Sequence, residues 1–421
     1  MKSGEASVEN LRIDGKRLWD SLMELAQIGA TGKGGVCRLA LTDPDRQARD
    51  LFVRWCREAG CSLEVDAVGN IFARRPGRNA GLPAVMTGSH LDSQPTGGKF
   101  DGAYGVMAGL EVLRSLNDLG IETEAPVELA VWSNEEGCRF APAMMGSGTY
   151  AGVFTLAETL ARRDGEGVSY GEALDAIGYR GAGLGGRPVA AYFEAHIEQG
   201  PILEAAGKTI GVVTGAQGQR WYELTLTGQE AHAGPTPMER RRDALVGASQ
   251  VVCLVNRLGL AHRPDACATV GMLEVHPNSR NAIPGRVWLT VDLRNPEDGR
   301  LDALCAEFEQ GTRAIAAAGG LELELKEIWH SPARPFAGEL VSAVRAAAER
   351  GGFGHRDLVS GAGHDAVYMA RVAPAAMIFV PCAGGISHNE SESATPGDLA
   401  AGCKVLLHTM LERAGVCGAR A

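Results

Sequence analysis

The sequence lacks the cysteine patterns that stabilise small secreted proteins or bind zinc through thiolates. Its 10 cysteines are scattered over 421 residues, and no two stand at CxxC spacing. Disulfide frameworks and thiolate zinc sites depend on regularly or closely spaced cysteines, so neither is expected here. We expect most of the cysteines to be small buried apolar residues.

Long apolar segments and an excess of positive charge are also absent. The N-terminal segment MKSGEASVENLRIDGKRLWD has no apolar core of the signal-peptide kind, and no stretch approaches the ~20 apolar residues of a membrane span. With 41 basic and 51 acidic residues, the net charge of −10 disfavours binding to nucleic acid or anionic lipid. The sequence therefore predicts a cytoplasmic protein with no nucleic-acid or membrane partner, and it leaves a small polar substrate open.

Two common catalytic loops are missing as well. The sequence has no GxSxG turn of a serine hydrolase and no GKS or GKT phosphate loop. The glycine-rich stretch at 181–186 follows no predicted strand and opens no predicted helix, so it is a poor phosphate-binding loop. Serine hydrolase and P-loop functions are accordingly disfavoured.

The length and the rhythm of apolar runs predict two domains. A single hydrophobic core usually stops growing at about 300 residues, and this chain has 421. Strand-length apolar runs alternate with helical periodicity in the first half, and this pattern returns near the C-terminus, which predicts a mostly parallel α/β sheet. The predicted helices are 15–29, 45–60, 102–118, 338–350 and 397–414, and the predicted strands are 83–89, 126–133 and 374–380.

A different rhythm occupies the middle of the chain. Between Gly211 and Leu325 the order βαββαβ predicts a small four-stranded sheet backed by two helices, a ferredoxin-like α+β arrangement. This segment splits the α/β domain, so the predicted domains are 1–212, 213–329 and 330–421, the middle one being an insertion. Its predicted strands are 219–228, 268–275, 285–294 and 321–327, and its predicted helices are 239–259 and 300–318.

Histidines and acidic residues beside glycines follow several of the predicted strands. Open α/β sheets bind their ligands at the carboxyl edge of the strands. Imidazole and carboxylate groups are ligands of divalent ions, and two ions held close together need three histidines, a bridging carboxylate and one further carboxylate. Asp101, presented from a glycine turn, could bridge. The candidate residues at this edge are His90, Asp92, Asp101, Glu135, Glu136, His196, Gln199 and His388.

Each motif also has an ordinary structural explanation. Taken alone, His90-Leu-Asp92 is more often a capped loop, Glu135-Glu136 a solvated acidic pair, and His196 a satisfied structural residue. In a metal site, Asp92 would instead hold the second ring nitrogen of His90. The adjacent glutamates would point in different directions, one to a metal and one to water.

Three polar residues of the middle segment allow a similar choice. His232 and Asn281 could supply neutral donors to an oxyanion, and Arg294 could hold a carboxylate with its planar fork. Two turns and a surface strand charge explain the same residues, and the residues alone favour these explanations.

Taken together, the blocks resemble the amidohydrolase branch of the M20 metallopeptidase family: N-carbamoyl-L-amino-acid hydrolases, β-ureidopropionases and allantoate amidohydrolases. The likeness covers nearly the whole chain in order. His196 separates this branch from the M20 peptidases, which usually carry an acidic ligand there, so the resemblance implies a ureido substrate. The matching blocks are Gly88-Ser-His-Leu-Asp, Asn134-Glu-Glu-Gly, Glu194-Ala-His-Ile-Glu-Gln-Gly-Pro, Gly228-Gln-Glu-Ala-His-Ala-Gly, Asn281-Ala-Ile-Pro, Asp292-Leu-Arg, Gly361-Ala-Gly-His-Asp-Ala and Ser387-His-Asn-Glu.

The resemblance also implies the cofactor and the role of each residue. Two divalent ions per subunit, zinc, manganese, cobalt or nickel, would be bound, with Glu135 as general base. Cys138 stands where many relatives have serine, which we expect to affect packing only. The implied metal ligands are His90, Asp101 and His196 for one ion and Asp101, Glu136 and His388 for the other. The implied substrate contacts are Gln199, His232, Asn281, Arg294 and Gly363.

The implied reaction is metal-dependent hydrolysis of the ureido C–N bond of an N-carbamoyl amino acid, giving amino acid, ammonia and carbon dioxide. The resemblance further implies a homodimer built on the inserted domain, in which His232 and Asn281 reach the neighbouring subunit's site. β-Ureidopropionase, allantoate amidohydrolase and exopeptidase activities stay open. A catalytically inactive binding protein is a further alternative, against which the complete set of carboxylates and histidines argues.

Overall fold

The computed structural model describes residues 11–183 and 187–419, so part of the glycine-rich stretch lies outside the described residues. The helices in the described part of the chain are α1 (Gly15–Leu25), α2 (Asp43–Glu58), α3 (Ala103–Asp118), α4 (Met145–Tyr150), α5 (Leu156–Ala161), α6 (Tyr170–Ala176), α7 (Ile202–Ala206), α8 (Ala244–Ala261), α9 (Asp298–Ala318), α10 (Gly338–Arg350), α11 (Asp365–Met369) and α12 (Pro396–Ala414). The strands there are β1 (Ser62–Val65), β2 (Ile71–Arg75), β3 (Ala84–His90), β4 (Ile121–Thr123), β5 (Val127–Trp132), β6 (Val189–Ile197), β7 (Ile210–Ala216), β8 (Gly218–Thr227), β9 (Ala231–His232), β10 (Cys267–His276), β11 (Ala282–Ile283), β12 (Arg286–Asn295), β13 (Glu322–Ser331), β14 (Arg334–Pro335), β15 (His355–Ser360), β16 (Ala375–Val380) and β17 (Val416–Ala419).

The described chain forms two compact units, of which the first contains the residues up to Thr214 and those from Phe336 on. Its sheet has the strand order β1-β2-β5-β3-β6-β16-β7, and β15 also pairs with β7. The four central strands β5, β3, β6 and β16 are parallel neighbours, whereas the pairings β1–β2, β2–β5 and β16–β7 are antiparallel. The predicted mixed α/β fold with a mostly parallel central sheet is confirmed.

The central strands are apolar along their whole length. β3, β5 and β16 are buried at every position, and their sequences AVMTGSH, VELAVW and AAMIFV carry few charges. Helices α3 and α12 pack on these strands, and the burial of every position shows that neither face of each strand meets water. Each fully buried valine or leucine stabilises the folded state by about 1.5–3 kcal/mol relative to an exposed one. A strand that is covered on both faces is therefore apolar at nearly every position rather than at every second one.

Polar residues begin where these strands end. β3 ends at His90, β5 ends just before Glu135, and His196 is the penultimate residue of β6. His388 lies in the loop that follows β16. Because the four strands are parallel neighbours, their carboxyl ends meet at one edge of the sheet, which brings these distant parts of the sequence together.

Element boundaries differ from the sequence prediction where a local cap decides them. The helix predicted from 239 begins at Ala244, because the Asp243 side chain accepts the main-chain N–H groups of Leu245 and Val246. The helix predicted from 45 begins at Asp43, since Pro44 suits a first helical turn. β1, β2 and the short helices α4, α5 and α6 were not predicted, because their short segments carry little periodicity.

The second unit, Gly215–Pro335, contains a four-stranded antiparallel sheet in the order β10-β12-β8-β13. Buried and less buried residues alternate along β12, as expected for a sheet with one covered face. Helices α8 and α9 cover that face. The core between them includes Tyr222, Leu224, Val251, Val255, Leu289, Val291, Leu304 and Phe308.

Helix α8 is long and apolar enough, by length and composition, to cross a membrane, and no other helix in 11–183 and 187–419 meets that test. One third of its residues (33%) are buried in the protein. The sequence expectation that no stretch approaches a membrane span overlooked this 18-residue helix. An apolar face packed on a sheet accounts for the same composition, and α8 packs on β10 and β12.

All ten cysteines lie in the described residues, and the structure has them as free thiols. Most of the cysteines were expected to be buried, but only half of them are. The buried cysteines are Cys56, Cys61, Cys305, Cys382 and Cys403.

Candidate metal centre

A first group of side chains converges at the carboxyl edge of the parallel strands. His196 Nε2 lies 3.2 Å from Asp101 Oδ1, and His90 Nε2 lies 3.6 Å from the same oxygen. One donor atom from each of the three residues falls within 4.8 Å of the others. All three side chains are buried. The structure thus brings together the three residues predicted for one metal ion.

A second group shares Asp101 with the first. His388 Nε2 lies 3.3 Å from Asp101 Oδ2 and 3.4 Å from Glu136 Oε2. Asp101 therefore presents one oxygen to each group, which is the arrangement of a bridging carboxylate. The His388 side chain is 49% exposed, whereas that of His196 is 1% exposed. The second group is consequently open to solvent and the first is enclosed.

Main-chain carbonyl groups hold the outer nitrogens of the two buried histidines. Nδ1 of His90 lies 2.9 Å from the carbonyl oxygen of Asp92, and Nδ1 of His196 lies 2.9 Å from that of Ile197. A carbonyl only accepts, so each Nδ1 carries the proton and each Nε2 keeps its lone pair. Both rings are thus prepared to bind a cation through Nε2.

The carboxylate of Asp92 makes different contacts from those expected. It was expected to hold the second ring nitrogen of His90, but Oδ1 lies 3.9 Å from that atom and the Asp92 main-chain oxygen makes the hydrogen bond. The two carboxylate oxygens instead accept the main-chain N–H groups of Glu135 and Glu136, at 3.2 Å each. Asp92 therefore fixes the loop that carries both glutamates.

Glu135 and Glu136 point in different directions, as the sequence predicts. Glu135 Oε2 lies 3.5 Å from His90 Nε2, while Glu136 faces His388. Glu135 is 7% exposed, which excludes a solvated acidic pair. Burial, reinforced by neighbouring carboxylates such as Asp365, raises the pKa of Glu135 well above its usual range. A carboxylate with a raised pKa suits a residue that accepts and returns a proton near neutral pH.

Acidic side chains lie close together in the centre. Burial opposes ionisation of Asp101, yet the imidazole rings of His196, His388 and His90, which face its oxygens, hold the pKa of Asp101 well below its usual range. Burial followed by the charge of Asp101 raises the pKa of Glu136 to about 7. Carboxylates packed this closely repel one another, and a divalent cation relieves that repulsion. The donor set of imidazole nitrogens and carboxylate oxygens fits zinc, manganese, cobalt or nickel.

Gln199 lies beside the shared carboxylate. Its Nε2 donates to Asp101 Oδ2 at 2.8 Å, and its backbone has the left-handed φ of 57°. Its Oε1 is buried and has no hydrogen-bond partner among the described residues. A buried amide oxygen without a partner is costly, so this atom is available to a bound ligand.

Gln94, Ser387 and Glu392 contact the predicted metal ligands, although the sequence did not point to them. The main-chain N–H and the side-chain Nε2 of Gln94 donate to the two oxygens of Glu136 at 3.1 and 2.7 Å. Glu392, 5% exposed, accepts the main-chain N–H of Asp101 at 3.1 Å. The only signal in the sequence was their place within the same polar loops as the predicted ligands.

Cys138 contacts the same network. Its thiol donates to Gln94 Oε1 at 2.9 Å. The residue as a whole is exposed. Burial of the sulfur and nearby acidic groups, first Glu136, raise the pKa of this thiol to about 12. The residue was expected to affect packing only, whereas the structure links it to Glu136 through Gln94.

Gly363 precedes α11, next to buried His364. The ring centroids of His364 and His196 lie 4.5 Å apart. Burial and the proximity of His196 hold the pKa of His364 well below its usual range, so the ring is neutral. A Cβ at Gly363 would lie 3.0 Å from Met144 Cε, which leaves little room for a larger residue.

The remaining predicted residues belong to the second unit. β9 and β11 pair so that His232 opposes Ala282, which places His232 beside Asn281 on one two-stranded ribbon. Gly234 donates its N–H to His232 Nδ1 at 3.1 Å, so Nε2 carries the ring proton. Arg294, on β12, donates from Nε and Nη2 to Asp292. Both His232 and Asn281 are exposed.

A mostly parallel α/β sheet that collects imidazole and carboxylate donors at its carboxyl edge, with a further buried carboxylate beside them, is typical of metal-dependent hydrolases. The family model for Peptidase family M20/M25/M40 matches residues 86–412, and the chain belongs to that family.

Comparison with individual proteins supports this assignment over nearly the whole chain. The chain is 49% identical over 409 residues to an N-carbamoyl-L-amino-acid amidohydrolase of Rhizobium meliloti, with 97% of this chain and 98% of the relative covered. It is 35% identical to a ureidoglycolate hydrolase of Oryza sativa, with 94% and 84% covered. An amidase of the hydantoinase/carbamoylase family from Burkholderia multivorans is 64% identical and superposes with a TM-score of 0.92, with 96% and 98% covered.

Proposed function

We propose that this protein hydrolyses the ureido C–N bond of N-carbamoyl amino acids and releases the amino acid, ammonia and carbon dioxide. The observation that carries the proposal is the pair of donor groups that share Asp101, with the buried Glu135 beside them. The name of the Rhizobium meliloti relative and the histidine at position 196 favour a ureido substrate over a peptide.

The proposed cofactor is a pair of divalent ions per subunit, zinc, manganese, cobalt or nickel. Such ions act as Lewis acids that polarise a carbonyl oxygen and make water a stronger acid. His90, Asp101 and His196 would hold one ion, and Asp101 would share the other with Glu136 and His388. Gln94 and Asp92 would keep the glutamates of this centre in place through the contacts described above.

Glu135 would transfer the proton. Oε2 of Glu135 would take a proton from the attacking water and return it to the leaving nitrogen, so that the C–N bond breaks with the neutral amine of the amino acid as one product. The other product is carbamic acid, which decomposes to ammonia and carbon dioxide. The raised pKa of this buried carboxyl favours the protonated state that the second transfer requires. The buried position excludes bulk water from the proton once it has been taken up.

His232 and Asn281 would stabilise the negative charge on the carbonyl oxygen. With Nδ1 accepting from Gly234, His232 can donate through Nε2 while remaining neutral. Ser279 donates to Asn281 Oδ1 at 3.2 Å, which orients the amide. Removing one donor of this kind typically slows turnover by about 10²- to 10³-fold.

We propose that Arg294 holds the substrate carboxylate. Its side chain is 27% exposed and already makes a forked contact with a carboxylate, that of Asp292. Arg294→Ala should raise KM for N-carbamoyl amino acids and lower kcat/KM, with a loss of about 2 to 5 kcal/mol in transition-state stabilisation. Arg286→Ala, an exposed arginine on the same strand, is the control. An unchanged KM for Arg294→Ala would remove this residue from the substrate site.

A second copy of the chain is the proposed partner. Five large apolar residues of α8 and β10 are exposed, and β10 is an edge strand with unpaired main-chain groups. Identical edges can pair about a twofold axis and bury these side chains together. The inserted domain, predicted as 213–329, would then serve for dimerisation and as a lid. The exposed side chains are Leu245, Val246, Leu260, Met272 and Leu273.

Mixing two inactive variants tests whether the dimer shares its active sites. Glu135→Gln and His232→Ala subunits each lack one residue that we place in the same reaction. If His232 acts in the partner's site, a mixed dimer contains one site with both residues intact, and exchange should restore up to about half of the activity of one wild-type dimer, by site count. Exchange verified by labelled subunits without any return of activity would show that each chain forms its own site.

The experiment that tests the proposed function is a substrate panel on the metal-reconstituted enzyme. N-carbamoyl-L-amino acids, N-carbamoyl-β-alanine, allantoate, ureidoglycolate and a dipeptide should be compared by kcat/KM, with ammonia release as the readout for the ureido compounds and amino-acid release as the readout for the dipeptide. The highest value is expected for an N-carbamoyl-L-amino acid. A preference for N-carbamoyl-β-alanine or allantoate would reassign the substrate, and hydrolysis of the dipeptide alone would make the protein an exopeptidase. Metal binding without any turnover would identify a binding protein.

We also propose that the enzyme works in the cytoplasm. Its 10 cysteines are free thiols, which is the state that a reducing compartment maintains. The acidic net charge of −10 is compatible with a soluble substrate and offers no attraction to anionic lipid or nucleic acid.

A further inference from the structure

We propose that Glu392 is a positioning residue that joins the two loops of the metal centre and thereby sets the affinity of the solvent-exposed metal site. The aspartate loop, 97–102, carries Asp101, and the histidine loop, 383–392, carries His388. The inference rests on the proposed two-metal centre, and it goes beyond it by assigning a role to a residue that touches neither a metal nor a substrate.

Glu392 reaches from the histidine loop into the aspartate loop. Its Oε1 accepts the main-chain N–H groups of Phe100 and Asp101 at 2.9 and 3.1 Å. Its other oxygen, Oε2, lies 2.9 Å from the hydroxyl of Ser387, the residue directly before His388. The side chain is 5% exposed, so water does not replace these contacts readily. One carboxylate therefore connects the backbone of one metal ligand to the neighbour of another.

The hydroxyl of Ser387 completes the connection. Besides facing Glu392, Oγ lies 2.8 Å from Asp101 Oδ2, the oxygen that faces His388. The hydroxyl has one proton and two lone pairs, so it lies between the two carboxylates and donates to one of them at a time. Any shift of Glu392 would therefore displace Ser387 and change the distance between Asp101 and His388.

His388 depends on its loop more than the other histidines depend on theirs. His90 and His196 lie on β3 and β6, where sheet hydrogen bonds fix the backbone. His388 lies outside any strand, and its φ is 53°, a left-handed conformation that is unfavourable for a residue with a side chain. Such a conformation persists only where surrounding contacts hold it.

Gly98 provides independent geometric support. A Cβ built at Gly98 would collide with the carboxyl group and the Cβ of Glu392. The glycine at this position therefore lets the carboxylate approach the aspartate loop closely enough to reach its N–H groups. Gly98→Ala should push Glu392 away and reproduce the loss of its side chain without changing any acidic residue.

The experiment titrates metal-free protein with Zn²⁺ against a coloured chelator, which resolves the tighter and weaker binding steps without an activity assay. Glu392→Ala and Gly98→Ala should weaken one of the two steps about 10- to 100-fold, the usual range for a group that positions a ligand, and change the other by less than about threefold. Glu392→Gln should recover most of the affinity, because its amide oxygen still accepts the N–H groups and its NH₂ donates to Ser387.

Glu390→Ala is the matched control, since Glu390 lies in the same loop and its carboxylate pairs with Lys33 at 3.7 Å. It should bind both ions as the wild type does. Ser387→Ala breaks the bridge while leaving Glu392 on the backbone, and it should weaken the same step as Glu392→Ala. This variant decides the matter if Glu392→Ala does not fold.

The outcomes separate the inference from the proposed function. A wild-type protein that binds no metal would overturn the two-metal centre itself. A wild type that binds two ions, together with Glu392→Ala or Ser387→Ala binding both at wild-type affinity, would overturn only the role of Glu392. Equal weakening of both steps would also overturn it, because that result indicates a general structural role.

Discussion

Glu135→Gln is expected to lower kcat by about 10²- to 10⁴-fold, the contribution of a well-placed general base, while the protein stays folded and keeps its metal. The side chain is buried, its main-chain N–H is fixed by Asp92, and its Oε2 lies 3.5 Å from His90 Nε2. Glutamine fills the same space but its amide cannot take up and return a proton. The measurement is kcat for an N-carbamoyl amino acid combined with elemental analysis of bound metal.

The control for this substitution is Glu166→Gln, which makes the same chemical change at an exposed position. It should behave as the wild type does. A kcat near the wild-type value in Glu135→Gln, with metal present, would show that another group moves the proton. Loss of metal in the same variant would instead indicate that Glu135 is a metal ligand.

Asp101→Asn is expected to remove metal from both groups and to lower activity by more than about 10²-fold. Mutating a residue that only orients a metal ligand already lowers metal affinity or activity by about 10- to 100-fold, and loss of the ligand itself should lower them at least as much. Both oxygens of Asp101 are in use, Oδ1 facing His90 and His196 and Oδ2 facing His388. Asparagine offers one oxygen and no charge, so it cannot bridge two cations. Metal content and turnover should fall together.

His388→Ala provides the comparison, since it takes a donor from the second group alone. That variant should keep about one ion per chain, on the donor count of the intact group, whereas Asp101→Asn should keep neither at full occupancy. Asp118→Asn, which changes an exposed aspartate paired with Arg17, serves as the control. Two full equivalents of metal in Asp101→Asn would show that Asp101 does not bridge, and full occupancy with activity in His388→Ala would remove that residue from the site.

The sequence pointed to residues that the structure brings together, because several of their positions follow from strand ends. A parallel strand buried on both faces must be apolar, so the runs before His90 and Glu135 could be identified as strands. Residues just past such strands gather at one edge. The directions of Glu135 and Glu136 followed from their adjacency, and the structure shows them facing His90 and His388 respectively.

The same reasoning failed where two atoms of one residue compete for a partner. Spacing placed Asp92 near His90, but could not tell the main-chain oxygen from the carboxylate. The carbonyl takes the imidazole, and the carboxylate is drawn to the two N–H groups of the glutamate loop. Which of these atoms binds the imidazole depends on how the glutamate loop after β5 lies relative to the end of β3, and this is a property of the folded sheet.

The sequence by itself determined the alternation of apolar strands and helices, the residue types at the strand ends and the chemistry that imidazole and carboxylate groups can support. Those features are local, because burial on both faces and side-chain periodicity can be recognised from consecutive residues. Only the tertiary structure decided which oxygen of Asp101 faces each group and that Glu392 accepts N–H groups of the aspartate loop. The hydrogen bond from Asp101 N–H to Glu392 joins residues 291 positions apart. No local pattern encodes such a pairing, since it exists only once the parallel strands have brought their ends together.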